Sequence, residues 1–121
     1  MKDIKARLSQ LHEDDIAGWF GDGHRHPGSG NQFTKPLDGR SGFAGEWDFA
    51  WDGKAAMPGT KSISITRGML DKLVEQCHGR RLLLPLRFYD TEQGNFTDTH
   101  DLIVIRTSDA IALLEYADGN R

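Results

Sequence analysis

The most informative group of reactive side chains is Asp52-Gly53-Lys54. Residues two apart on an extended strand project from one face, so a carboxylate and an ammonium there share one pocket. Phosphodiester hydrolysis needs an oxygen ligand for Mg²⁺ or Mn²⁺, and a cation that positions the attacking water or stabilises the charged transition state. Two more carboxylates lie close in sequence, Asp38 in a glycine-rich segment and Asp48 on the same strand face. Mg²⁺ typically takes one or two carboxylates and completes its shell with water and substrate phosphate. Asp38 is the preferred second ligand, because Asp48 stands roughly 13 Å from Asp52 by strand rise.

Other residues compete for attention. His24-Arg25-His26 places two imidazoles on one side of an extended segment, which is half of a metal site. The rest would have to come from His78 or His100, and their spacing does not compel it. Gly28-Ser29-Gly30-Asn31 reads equally as a turn or as backbone N–H groups brought close to a phosphate. A P-loop is excluded, since no Gly-Lys-Ser/Thr follows at the required spacing. Lys35, Arg40, Lys61, Arg67, Arg80 and Arg81 are the cations nearest the candidate pocket in sequence, and they read as phosphate-steering charges or as solvated surface. Cys77 reads as a small buried hydrophobe.

The elements that must position these residues follow from periodicity. Ile4, Leu8, Leu11, Ile16 and Trp19 or Phe20 recur at helical spacing up to the breaker Gly21-Asp22-Gly23, which predicts an amphipathic first helix. Residues 24 to 45 carry five glycines and two prolines, and read as loop with room for one short strand. From Glu46 to Ala56 the pattern alternates strictly. Trp47, Phe49 and Trp51 point one way, as core more than as a base-stacking platform, and Asp48, Ala50, Asp52 and Lys54 point the other. Lys61-Ser62-Ile63-Ser64-Ile65 reads as the hairpin partner of this strand. Thr66 caps a second helix carrying Met69, Leu70, Leu73, Val74 and Cys77, and Arg81–Tyr89 and Leu102–Arg106 read as further strands. Ser108 caps a last helix running through Tyr116. This order predicts one α/β domain over residues 1–121 with a mixed central sheet flanked by helices.

Bulk properties set limits. Hydrophobic residues make up 37 % of 121 positions, enough for one core. The formal charge of −3 and pI near 5.9 run against a nucleic-acid partner, unless the acidic residues hold a divalent ion that reverses the field a phosphate meets. A lone cysteine fits a reducing compartment. With no leader-like apolar run after Met1 and no stretch of about 18 to 20 apolar residues, the expectation is a cytoplasmic protein with no membrane partner.

The arrangement resembles the PD-(D/E)xK nuclease superfamily. Glu13 on a first helix, Gly28-Ser29-Gly30-Asn31, Asp38 within Pro36-Leu37-Asp38, Asp52-Gly53-Lys54 and the Ser-x-Ile run at 62–65 are similar, over about residues 8 to 88, to the Holliday-junction resolvases of archaea and phages. The resemblance implies a restriction-endonuclease-like core and a Mg²⁺ or Mn²⁺ ion held by Asp38 and Asp52 with Glu13. It further implies that Lys54 acts on water or the leaving phosphate and that Gly28, Ser29, Gly30 and Asn31 lie against DNA. Arg25, Lys35, Arg40, Lys61 and Ser62 complete the expected DNA contacts. A homodimer acting on branched DNA is implied as well, in the host cytoplasm if the chain is phage-encoded. The competing expectation is a non-catalytic nucleic-acid- or protein-binding module on the same fold, favoured by the acidic charge and by Asp52 standing where Glu is commoner.

Overall fold

A computed structural model describes residues 3–20, 24–25, 38–40 and 47–119. The chain runs through α1 (Ile4–Trp19), β1 (His24–Arg25), β2 (Gly39–Arg40), β3 (Phe49–Trp51), β4 (Lys54–Ala56), α2 (Arg67–Gln76), β5 (Arg81–Phe88), β6 (Asp101–Ile105) and α3 (Thr107–Gly119). This is a mixed α/β architecture built on one small sheet, with β1, β2 and β3 antiparallel, β3 and β4 parallel to β5, and β6 antiparallel to β5.

Strand β5 explains the three-layer arrangement. Its Leu82-Leu83-Leu84-Pro85-Leu86 run is buried on both faces, as expected of a central strand paired on both edges. Leu82, Leu84 and Leu86 pack with Ala50, Leu73 and Cys77 under α2. Leu83 turns the other way, into Ile16, Ala17, Phe49 and Trp51 under α1, with Leu113 of α3 alongside. The aromatic alternation of β3 is therefore core: Phe49 and Trp51 are buried, and Trp47 is half-buried.

Local signals place most of the elements. Asp3 caps α1 by accepting from Lys5 N at 3.0 Å, and Thr66 caps α2 by accepting from Met69 N at 3.1 Å. Two expectations are corrected. Residues 61–66 form no strand; Ile63 and Ile65 face the α2–β5 core from an extended segment, so packing accounts for their alternation without a ladder. Helix α3 starts at Thr107, one residue before the expected cap Ser108, and buries Asp109 in its first turn. Among the described residues no helix is long and apolar enough to cross a membrane.

Candidate functional site

The candidate residues meet where β3 gives way to β4. Trp51 pairs with Leu83 and Lys54 with Leu86 at the same offset, so the two strands are one course along a single edge of β5, interrupted only at Asp52-Gly53. No residue is inserted, and side-chain alternation carries through the break. Asp52 falls level with Leu84 and Lys54 with Leu86, both on the α2 face, whereas Gly53 faces α1.

Asp38 completes the group through the ladder with β2. Gly39 pairs with Trp51 and Arg40 with Ala50, and the same register carries Asp38 to the level of Asp52. Residues opposite each other on antiparallel strands share a face, with Cβ atoms roughly 5 Å apart. Asp38 N donates to Trp51 O at 3.2 Å, one residue out of step, so regular pairing ends there. Asp52 N still donates to β5, at Leu83 O (3.1 Å), which leaves the Gly53 N–H pointing toward β2 with no backbone acceptor. The Asp38 carboxylate takes its place, Oδ2 accepting from Gly53 N at 2.7 Å.

One carboxylate and one ammonium are thus in contact at the strand break, and Asp38 is held at the adjoining Gly53. Asp38 and Asp52 are buried at 9 % and 7 % exposure, and Lys54 Nζ lies 2.9 Å from Asp52 Oδ2 with its side chain 38 % exposed. That ion pair is not a directed hydrogen bond: Asp52 Oδ2 is buried without a hydrogen-bond partner. Burying an anion is costly unless cations and hydrogen bonds complete it, and here Lys54 supplies charge without a directed hydrogen bond. Carboxylate oxygens are the donors a hard divalent cation prefers, so Asp52, with Asp38 held at the neighbouring Gly53, supplies the candidate ligands for Mg²⁺ or Mn²⁺.

The remaining expected residues are placed less closely. Glu13 is half-buried on α1, across the sheet from the face that carries Asp52. Among the described residues no three His, Cys, Asp or Glu side chains form a cluster able to hold a metal, so Glu13 is not gathered with the two aspartates. Asp48 is held elsewhere, its Oδ2 accepting from Arg80 Nε at 2.9 Å. Lys61 and Ser62 are exposed, and Lys61 lines a cavity with Phe88 and His100 at the far end of β5. Arg25 and Arg40 belong to β1 and β2. His26, Gly28, Ser29, Gly30, Asn31 and Lys35 lie outside the described residues.

Sequence reasoning missed His12. It occupies the buried stripe Leu8, His12, Ile16 at i, i+4, i+8, and that spacing was the available signal. Its ring backs onto the strand break: a Cβ on Gly53 would stand 3.4 Å from His12 Nδ1 and 2.9 Å from Ile16 Cδ1. Burial, and then the charge of Arg87, push its pKa down to about 4 against the pull of Asp101 and Asp15, so the ring is neutral at pH 7. Its Nε2 is buried without a hydrogen-bond partner.

No family model, curated protein or solved structure matches this chain.

Proposed function

We propose that the chain is a metal-dependent endonuclease with a restriction-endonuclease-like core that hydrolyses phosphodiester bonds in branched DNA, acting in the cytoplasm as a homodimer. The supporting observation is the buried Asp52 Oδ2, which has no hydrogen-bond partner and is ion-paired with Lys54 Nζ at 2.9 Å, with Asp38 held at the adjoining Gly53. Asp38 and Asp52 would hold Mg²⁺ or Mn²⁺, which when bound supplies Lewis-acid stabilisation of phosphate charge and a more acidic water. Asp38 is oriented by Gly53 N–H and Asp52 by its strand, so neither needs to reorganise on binding. Lys54 is exposed enough to meet solvent and substrate. Its ammonium can orient the attacking water or stabilise the extra negative charge on the phosphoryl oxygens.

The experiment is cleavage of a four-way DNA junction with Mg²⁺, compared with linear and flapped DNA. Asp52→Asn should lower the rate by about a thousandfold or more, the scale on which removing a catalytic electrostatic partner acts, while junction binding and fold persist. Unchanged cleavage by the variant rules the assignment out.

A second reading is a binding module without catalysis. It is favoured by the acidic net charge and by Lys54 already sitting against Asp52. Mn²⁺ titration separates the two, because only the nuclease reading requires saturable binding that Asp52→Asn removes.

A further inference from the structure

A different charge cluster lies at the opposite end of β3. A cavity of about 560 Å³ opens between the end of α2, the start of β5 and the start of α3, lined by Asp48, His78, Arg80, Arg81, Arg106 and Asp109. Three guanidiniums face two carboxylates there, so the lining is net positive in a chain whose formal charge is −3. Local charge, not the total, determines what a cavity attracts.

The arginines are held in position by their neighbours. Asp109, 4 % exposed, accepts from Arg81 Nη1 at 2.6 Å and from Arg106 Nε at 3.2 Å. Asp48 accepts from Arg80 Nε at 2.9 Å. The Arg81 guanidinium also lies over the Trp47 ring, 4.7 Å from its centroid. For Arg80 and Arg106 the carboxylates use only Nε, which leaves both terminal nitrogens of each without a hydrogen-bond partner among the described residues. A guanidinium fixed through Nε presents its Nη pair as a rigid fork, the geometry that binds a phosphate in two places at once.

The cavity rim carries a second unusual feature. His78 sits at φ 51° and Gly79 at φ 88°. A left-handed histidine is uncommon and strained, and such residues concentrate at binding sites. It brings an exposed imidazole to the rim beside the two forks.

We infer that this cavity is an anion site that holds a backbone phosphate of bound nucleic acid, separate from the phosphate at Asp38, Asp52 and Lys54. Asp48 and Asp52 are four residues apart on the same strand course, so the two sites are separated by roughly 13 Å. One nucleic-acid strand can therefore engage both. Assigning the phosphate to nucleic acid rests on the nuclease reading. The anion site itself does not.

The test uses the full chain in EDTA, where no cleavage occurs, so failure of the catalytic proposal cannot be mistaken for failure of this one. Binding of a short labelled DNA duplex is followed by fluorescence anisotropy from about 50 to about 200 mM salt. Replacing both Arg80→Gln and Arg106→Gln should weaken binding by about tenfold at low salt and make the salt slope shallower by about two. Lys5→Gln, one charge removed on distant α1, should change neither. Arg80→Lys with Arg106→Lys should keep the slope but bind less tightly, because lysine lacks the fork.

A folded Gln double variant that binds like the wild type overturns the proposal. A second measurement stands even if that variant does not fold. On the wild-type chain, the Nε–H resonances of Arg80 and Arg106 should shift when the duplex is added, and pyrophosphate should displace the duplex. Shifts with pyrophosphate but none with the duplex would overturn the nucleic-acid assignment, and no shift with either would overturn the site.

Discussion

The two faces of the central sheet carry buried charge at nearly the same level and treat it differently. On the α1 face Arg87, 1 % exposed, is fully engaged. Its Nη1 donates to Asp15 at 2.7 Å and to Tyr89 OH at 3.3 Å, and Nε and Nη2 donate to Asp101 at 2.8 and 3.3 Å. Phe96 closes over the guanidinium at 3.9 Å, and Tyr89 OH donates a hydrogen bond to Leu8 O at 2.9 Å. Burial works against the Arg87 charge, but the hydrogen bonds it donates to Asp101, Asp15 and Tyr89 outweigh it and raise its pKa above the ordinary arginine value. On the α2 face the group around Asp52 keeps one carboxylate oxygen without a hydrogen bond. A buried charge network with every member satisfied fixes a structure. One that stops short by a single partner is where a ligand belongs.

The comparison breaks most visibly if stability does not follow it. Arg87→Met removes the centre of the closed network and leaves Asp101 and Tyr89 facing an apolar side chain. Removing one side of a buried ion pair typically destabilises by about 3–5 kcal/mol, and urea denaturation should show a loss on that scale. Asp52→Asn should lose much less, since it relieves a like charge beside Asp38 and removes no directed hydrogen bond. Equal losses from the two substitutions would erase the distinction between the faces.

A pH experiment sharpens it. His12 packs on the α1 face outside the hydrogen-bonded Arg87 network, and its Nε2 has no hydrogen-bond partner. Its pKa is near 4 when folded and near 6.5 when unfolded. Between those values the unfolded chain binds more protons, so stability is intact above pH 6.5 and falls as pH drops toward 4. Two and a half pKa units correspond to about 3 kcal/mol. Thermal unfolding of wild type and His12→Gln across that window checks this: the wild type should lose stability and the variant should lose less. Parallel curves would remove His12 as the cause.

The contrast between faces also explains what was legible in the sequence. Strand alternation is a local property, so Asp52 and Lys54 could be assigned to one face from spacing alone. The register through the break bears that assignment out. Asp38 was legible as a nearby acid, but its hold on Gly53 depends on regular β2 pairing starting only at Gly39, which no local pattern encodes. Arg87 draws its partners from residues 72 and 14 positions away, and Arg80 finds Asp48 across 32. Contacts at such separations leave no periodic trace. The hairpin expected at 61–65 failed for the converse reason: alternation reports that one side is buried, and burial against α2 and β5 served as well as a ladder.

Gly53 lies between the two faces and offers the finest test of their independence. Its φ is not in the left-handed region, so alanine meets no backbone strain there, and its N–H, the one Asp38 accepts, remains in place. The added methyl would point to the α1 side, 2.9 Å from Ile16 Cδ1 and 3.4 Å from His12 Nδ1. Ile16 is fully buried, so its side chain must turn within a packed core. Overpacking of this kind costs about 1–3 kcal/mol, and the reduced freedom of the unfolded chain offsets about 0.4–1 kcal/mol of it. Gly53→Ala should therefore lower stability by about 1 kcal/mol, read from the urea midpoint. Its rate on a four-way junction should remain within a few-fold of wild type, because Asp38, Asp52 and Lys54 face away from the methyl. A collapse in rate with stability preserved would mean that α1 sets the geometry of the aspartates through the strand break, and that the two faces act as one unit.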